Sequence, residues 1–225
     1  LTHFSGFSLK WYRHMLESRD MMESLYTTFS IAILSTLIST IVGTITAIGL
    51  SKSKKVVRDV VEQVNNLPIM NPEIVTAIGF MLLFITFQAE KGYTTMLLAH
   101  IAFCIPYVIL SVMPRLKQLN PSTYEAALDL GAPPLKAFFK VVLPDLAPGI
   151  FSGLLMAFTM SLDDFIITHF TKGPGVDTLS TKIYSEVRKG IKPEMYALST
   201  LIFVSVLILL LLVNRTPKDK SKKTV

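Results

Sequence analysis

Charged side chains are scarce in this sequence. Only 17% of its 225 residues are Asp, Glu, Lys or Arg, whereas 51% are hydrophobic. This balance is too apolar for an ordinary soluble domain and indicates a protein embedded in lipid. The net charge of +6 does not indicate a nucleic-acid partner, because the basic residues lie in polar segments between apolar runs rather than on one helical face.

Cysteine is nearly absent as well, since Cys104 is the only one. A single cysteine excludes an internal disulfide, and its place in an apolar run favours a packing role. The sequence also lacks a glycine-rich loop ending in Lys-Ser or Lys-Thr, so we expect no ATP or other cofactor on this chain. It has no initiator methionine and no signal peptide at its start, which predicts that it begins inside a longer protein.

Apolar runs long enough to cross a bilayer predict an all-α membrane helix bundle that forms a single domain over 1–225. The predicted spans are 24–50, 60–88, 95–113, 148–170 and 193–213. Basic residues are frequent in 51–59, in the loop 114–147 and after the last span, which places these segments in the cytoplasm. Five spans with an outside start predict a sixth helix upstream.

Two spans carry small residues at every fourth position, which allows another helix to approach closely in lipid. The ridges are Ser35, Ser39, Gly43 and Ala47, then Gly149, Gly153, Ala157 and Ser161. Beside the first ridge run Thr36, Thr40 and Thr44, whose hydroxyls we expect to bond to backbone carbonyls.

The second span is interrupted. Pro68 and Pro72 each remove a helical hydrogen bond, so a break or kink is expected there. Glu73 follows directly, and a charged carboxylate facing lipid is costly. Glu73 therefore either faces water or protein within the membrane, or is solvated at the cytoplasmic surface.

The fourth span ends with Asp163 and Asp164. On a continuous helix Asp163 shares a face with Thr159 and Phe170, which together offer a carboxylate, a hydroxyl and an aromatic ring to an organic cation. Alternatively, the helix unwinds at Leu162 and both carboxylates are solvated or pair with lysines. His100 in the third span is expected to be buried and hydrogen-bonded, without a metal.

The segment 120–144 predicts two short helices that meet at a glycine corner. Asn120 can cap the first helix, and Gly131 supplies the left-handed conformation that ends it. Pro133 and Pro134 begin the second helix, which we expect Pro144 to stop. On these grounds the unit is either an ordinary connector or a surface for something outside the membrane.

The spacing of this unit resembles the EAA loop of ABC-importer permeases. The matching positions are Glu125-Ala126-Ala127, Gly131, Val141, Leu143 and Pro144, with Val141 where the family has isoleucine. The resemblance implies a type I importer permease in the bacterial inner membrane, which docks on a dimer of ATPase subunits that bind ATP and magnesium. It also implies that the residues which couple the permease to the ATPase subunits are Tyr124, Glu125, Ala126, Ala127, Leu128, Asp129 and Gly131.

Other runs resemble permeases of the PotC type from spermidine/putrescine importers. These are Lys10-Trp11-Tyr12, Pro72-Glu73-Ile74-Val75, His100-Ile101-Ala102-Phe103, Ser161-Leu162-Asp163-Asp164-Phe165 and Gly173-Pro174. The resemblance implies a second permease subunit and an external polyamine-binding protein as partners. The expected substrate path comprises Asp163, Asp164, Glu73, Thr159 and Phe170. Importers of iron or phosphonate share the central loop, and a passive channel is a more distant alternative.

Overall fold

The computed structural model describes residues 10–189, 196–200, 203–204 and 207, and the regular elements in this part are helices. Their bounds are α1 Lys10–Glu17, α2 Arg19–Lys52, α3 Lys55–Met70, α4 Glu73–Thr86, α5 Tyr93–Gln118, α6 Pro121–Asp129, α7 Pro134–Ala137, α8 Leu143–Leu162, α9 Ile166–Thr171 and α10 Leu179–Lys189. Most of the predicted fifth span, 193–213, and the basic tail after it lie outside the described residues.

Packing divides the chain into two units. One contains residues 24–181, and the other contains residues 1–23 together with 182–225. In the latter unit, Lys182 Nζ lies 3.4 Å from an Asp20 carboxylate oxygen, and Ala197 and Leu198 are buried. The acidic residues and the glycine corner predicted above all lie in the 24–181 unit.

Three helical stretches among the described residues are long and apolar enough to cross a membrane. They are α2, α5 and a continuous helix over Pro134–Leu162. The pair α3 and α4 reaches this length only together, and it bends by 108° at its break. The predicted break is therefore present, and 60–88 is not one straight helix. Pro72 adopts an extended conformation there (φ −54°, ψ 132°) and has no N–H to continue the helix.

The small-residue ridges are packing surfaces, as predicted. A Cβ added to Gly43 would lie 2.8 Å from Val108 Cβ on α5. One added to Gly153 would lie 3.2 Å from Val108 Cα. Since glycine is what permits these approaches, α2 and α8 both pack closely against α5 around Val108.

The prediction for the threonines beside the first ridge is wrong. The hydroxyls of Thr36, Thr40 and Thr44 are buried and have no hydrogen-bond partner in the structure. The ridge serines do bond to carbonyls of their own helix, as Ser39 Oγ does to Thr36 O at 3.2 Å.

The prediction that Pro144 stops the second short helix is also wrong. The helix that begins at Pro134 continues to Leu162. A π-helical turn at Phe138–Val142 joins α7 to α8, with Leu143 N–H donating to Phe138 O. This wider turn relieves the clash between a proline ring and the carbonyl four residues earlier, so Pro144 lies within the helix without ending it.

Candidate functional site

Two helix breaks bring the predicted acidic residues together. Glu73 is the first residue of α4, directly after the break that follows α3. Asp163 and Asp164 lie between α8 and α9, and α9 packs against α4. The Glu73 carboxyl interacts with the Asp164 carboxyl and, electrostatically, with Asp163. Residues from two predicted spans thus form one acidic cluster, which we call the carboxylate site: Glu73, Asp163 and Asp164.

The fourth span is not continuous to Phe170 as predicted. Helix α8 ends at Leu162, Asp163 leaves the helical conformation (φ −100°, ψ 2°), and α9 starts at Ile166. Asp163 and Phe170 therefore do not share a face of one helix. Phe170 packs against the buried hydrophobic cluster of this unit instead.

Asp163 and Thr159 are both exposed. Thr159 Oγ1 donates to backbone carbonyls of its own helix, 3.0 Å from Leu155 O and from Met156 O. These two side chains are therefore accessible near the end of α8. Glu73 is partly buried.

Asp164 differs from its neighbour because it is only 5% exposed. Its carboxylate accepts hydrogen bonds from Ile167 N–H at 3.1 Å and from Thr168 N–H at 2.8 Å. Thr168 Oγ1 also donates to it at 2.8 Å. These bonds cap the first turn of α9, where backbone N–H groups lack helical partners. The alternative of two solvated carboxylates therefore does not hold for Asp164.

His100 confirms its prediction as a buried, hydrogen-bonded side chain. It is 1% exposed, with Nδ1 2.7 Å from Ser161 Oγ and Nε2 3.0 Å from Thr168 Oγ1. Nε2 also lies 3.4 Å from an Asp164 carboxylate oxygen. Sequence reasoning did not pair His100 with Asp164, because helical periodicity says nothing about contacts between residues more than 60 positions apart.

The carboxylate site has the chemistry to bind an organic cation. Within the described ranges neither Glu73 nor Asp163 forms an ion pair, and neighbouring carboxylates repel one another when both are ionised. A cation placed between them would remove that repulsion. In the part of the chain that the structure describes, no group of three or more His, Cys, Asp or Glu side chains is arranged to hold a metal ion.

The glycine corner has the predicted geometry. Asn120 Oδ1 accepts from Ser122 N–H at 3.0 Å and caps α6. Gly131 adopts φ +81°, with its N–H donating to Leu128 O and Ala132 N–H donating to Ala127 O. This pair of bonds is the Schellman arrangement that ends a helix.

The surface around this corner is apolar. Leu130 is 89% exposed, Leu135 is 74% exposed and Phe139 is 59% exposed. Glu125 and Ala126 on α6 are also exposed. A rigid unit that presents large apolar side chains in this way has the character of a protein contact surface.

Comparison with known proteins decides the family. The family described as "Binding-protein-dependent transport system inner membrane component" matches residues 39–215. The chain belongs to this family. It is 38% identical to the putrescine transport system permease protein PotI of Escherichia coli (strain K12), over 92% of this chain and 76% of PotI. It is 32% identical to the spermidine/putrescine permease protein PotC of the same strain, over 98% of this chain and 83% of PotC.

The fold agrees with the family. A crystal structure of a bacterial ABC transporter involved in the import of alginate superimposes with a TM-score of 0.74 at 17% sequence identity, covering 95% of this chain and 86% of that chain. The chain is accordingly a multi-pass membrane component of a transport system with the type I importer permease fold. Both the carboxylate site and the glycine corner fall inside the residues that the family matches.

Proposed function

We propose that this chain is a permease subunit of an ATP-driven importer of polyamines in the bacterial inner membrane. The observation that supports the proposal is the meeting of Glu73 with Asp164 and its neighbour Asp163 at two helix breaks. Carboxylates at such breaks suit a substrate with several ammonium groups, and discontinuous helices form the substrate sites of many transporters. The relatives named for putrescine and spermidine transport support the same substrate class.

The exposed glycine corner is the proposed docking surface for the ATPase subunits. Leu130, Leu135 and Phe139 supply apolar contact area, and Gly131 in its left-handed conformation ends the first of the two helices. Because Pro134–Leu162 is one helix, a push on the corner reaches the end of α8, next to Asp163. The ATPase subunits would bind ATP and magnesium, and nucleotide drives the cycle only if it binds the two access states with different affinity.

The remaining proposed partners are a second permease subunit and an external polyamine-binding protein. The family is described as binding-protein-dependent, which supports the external partner. The second permease would close the other side of the substrate path. This division leaves the chain with substrate passage and coupling, and leaves ATP hydrolysis to its partners.

The decisive experiment reconstitutes the complete complex and measures ATPase activity with and without a polyamine-loaded external protein. We expect stimulation by the loaded protein. In the same system Asp163→Asn and Glu73→Gln should raise the polyamine concentration needed for half-maximal uptake by about tenfold, the effect of losing one charge-assisted hydrogen bond.

The matched control is Asp59→Asn. It removes one carboxylate from α3 that lies 11 residues, about 16 Å along the helix axis, from the helix end at Met70. Uptake by this variant should follow the parent complex. If the Asp163 and Glu73 variants also follow the parent, the proposed path is wrong.

The iron and phosphonate alternatives differ in charge chemistry. Three clustered carboxylates oppose a phosphonate anion, because each would repel it. To separate these substrates, the uptake of labelled spermidine is measured in the presence of an excess of iron salt or of phosphonate. Polyamine uptake that is insensitive to both competitors supports the proposed substrate class.

A further inference from the structure

We propose that His100 and Asp164 form a buried positioning pair, which shapes the break between α8 and α9, and that the transported cation contacts Asp163 and Glu73 instead of Asp164. The inference rests on the proposed function. It assigns different roles to two aspartates that adjoin in the sequence. It also adds His100 on α5 to the residues on which the carboxylate site depends.

Most of the acceptor capacity of Asp164 is already in use, and the Glu73 carboxyl also interacts with it. One carboxylate oxygen accepts from Ile167 N–H, and the other accepts from Thr168 N–H and Thr168 Oγ1. His100 Nε2 lies 3.4 Å from that second oxygen. A carboxylate that is 5% exposed and bonded in this way would have to lose several buried bonds before it could bind a substrate ammonium group.

The direction of the hydrogen bonds places a proton on His100 Nε2. The Thr168 hydroxyl has one proton and donates it to Asp164. In its contact of 3.0 Å with His100 Nε2, Thr168 Oγ1 must therefore be the acceptor. The ring nitrogen consequently carries hydrogen and faces both the threonine oxygen and the Asp164 carboxylate. This is the orientation that stabilises a buried carboxylate.

The other side of the ring extends the network to two further helices. His100 Nδ1 lies 2.7 Å from Ser161 Oγ on α8, and Ser161 Oγ lies 2.9 Å from Ser35 Oγ on α2. Ser35, His100, Ser161 and Thr168 are each at most 3% exposed. One connected set of buried bonds thus joins α2, α5, α8 and α9 at the point where α8 ends.

This network explains why Asp163 is presented to the substrate path. Asp164 is held inward by α9 and His100, so the preceding residue lies at the outside of the break and is exposed. The Asp163 carbonyl is also fixed, because Ser180 Oγ donates to it at 3.4 Å. Loss of the His100 contact would free the break and move the Asp163 carboxylate relative to Glu73.

Two substitutions of His100 separate positioning from packing. The amide nitrogen of Gln can occupy the place of Nε2, and that of Asn can occupy the place of Nδ1. In the reconstituted complex, the His100→Gln variant should keep the rate of uptake within about threefold of the parent. The rate for His100→Asn should fall by about tenfold or more, because this variant loses one hydrogen bond to a charged group. Equal uptake by the two variants, or better uptake by His100→Asn, contradicts the proposed role.

A double-mutant cycle tests whether the pair acts as a unit. Asp164→Asn should reduce uptake in the His100→Gln background and have little further effect in the His100→Asn background, where the contact is already lost. Asp163→Asn should raise the half-saturating polyamine concentration in both backgrounds. Additive losses for the Asp164 variant contradict the pairing, whereas an inert Asp163→Asn contradicts the proposed path itself, so the two failures are distinguishable.

Cysteine labelling supplies a readout that does not depend on transport. Cys104, the only cysteine, is buried, and Cys104→Ala gives a background without thiols. In the complete complex Asp163→Cys should react with aminoethyl methanethiosulfonate and be protected by spermidine, as measured from the mass of this subunit. Ser161→Cys should not react. Modification of Ser161→Cys at a rate similar to that of Asp163→Cys would show that the network is open to the path and would overturn the inference.

Discussion

Asp163 and Asp164 have the same side chain and adjacent positions, yet their surroundings differ completely. The helix ends at Leu162, so the backbone turns between them and the two carboxylates no longer follow helical geometry. Asp164 caps α9 and meets His100, whereas Asp163 remains exposed. At the scale of single residues, hydrogen-bond partners rather than residue type decide which carboxylate is structural.

Thr168 offers a direct test of the buried network through stability. Thr168→Val keeps the shape of the side chain but removes the hydroxyl between His100 and Asp164. We expect a loss of about 1–3 kcal/mol in the free energy of unfolding, because a buried donor and a buried carboxylate each lose a partner. Thermal denaturation of the purified subunit in detergent measures this loss of stability.

Thr171→Val is the matched control for this prediction. Thr171 is equally buried, but its hydroxyl donates at 2.7 Å only to Ile167 O, a carbonyl of its own helix turn. Its replacement should cost about 1 kcal/mol or less. Equal destabilisation by the two valines would mean that the hydroxyl of Thr168 has no special role.

At the scale of elements, α2 and α5 approach closely because Gly43 has no side chain. Gly43→Ala places a methyl group 2.8 Å from Val108, so the helices must separate or Val108 must move. Overpacking of this kind costs about 1–3 kcal/mol. A lower melting temperature and a lower yield of assembled complex are expected.

The control for this substitution lies on the same helix. A Cβ added to Gly49 meets no atom within 4 Å, so Gly49→Ala should leave stability unchanged or raise it by up to about 1 kcal/mol through helix propensity. Destabilisation by Gly49→Ala as large as by Gly43→Ala would mean that close packing against Val108 is not the cause.

The glycine corner permits a similar comparison at the element that we propose docks on the ATPase subunits. Gly131 and Gly175 have similar left-handed conformations, φ +81° and +77°, and both have open space around them. Valine at either position therefore introduces similar backbone strain. Gly131→Val should release the ATPase subunits from the purified complex, whereas Gly175→Val should retain them.

Co-purification of the ATPase subunits with the permease is the measurement for this pair. Transport alone would not distinguish the variants, since the loop that contains Gly175 can also affect uptake. Glu125→Lys, which reverses an exposed charge on α6, should also weaken retention. Full retention by the Gly131 and Glu125 variants would assign the docking surface elsewhere.

At the scale of the whole molecule, one continuous helix connects the glycine corner to the break at Asp163. The corner leads through Pro134–Leu162 to the carboxylate site, and α5 packs along α8 between these points. Tight packing transmits displacement because interiors of this density have little free space. A movement at the corner is therefore expected to change the geometry at Asp163.

This arrangement predicts a strict requirement for ATP. Proteoliposomes that contain the complete complex, with ATP enclosed and the polyamine-loaded external protein outside, should take up polyamine, and matched vesicles without enclosed ATP should not. A passive channel would continue to equilibrate polyamine without nucleotide. Uptake without enclosed ATP, checked with vesicles that lack the complex, would favour the channel.

The amino-acid sequence determined the features that depend on local chemistry. The cap at Asn120, the left-handed Gly131 and the break before Glu73 follow from residues within a few positions of one another, so their backbone preferences can be read directly. The small-residue ridges follow from helical periodicity. Close packing in lipid requires small side chains on one face, which the sequence displays without any knowledge of the partner helix.

Only the tertiary structure decided which residues act together. The contact between His100 and Asp164, and that between Glu73 and the two aspartates, depend on how separate helices pack, which local preference does not specify. The sequence left open whether the fourth span unwinds at Leu162, which the structure shows that it does, and the helix that runs through Pro144 was missed. At Leu162 the contact of Asp164 with His100 on another helix accompanies the break, whereas at Pro144 a π-helical turn supplies the space for the proline ring.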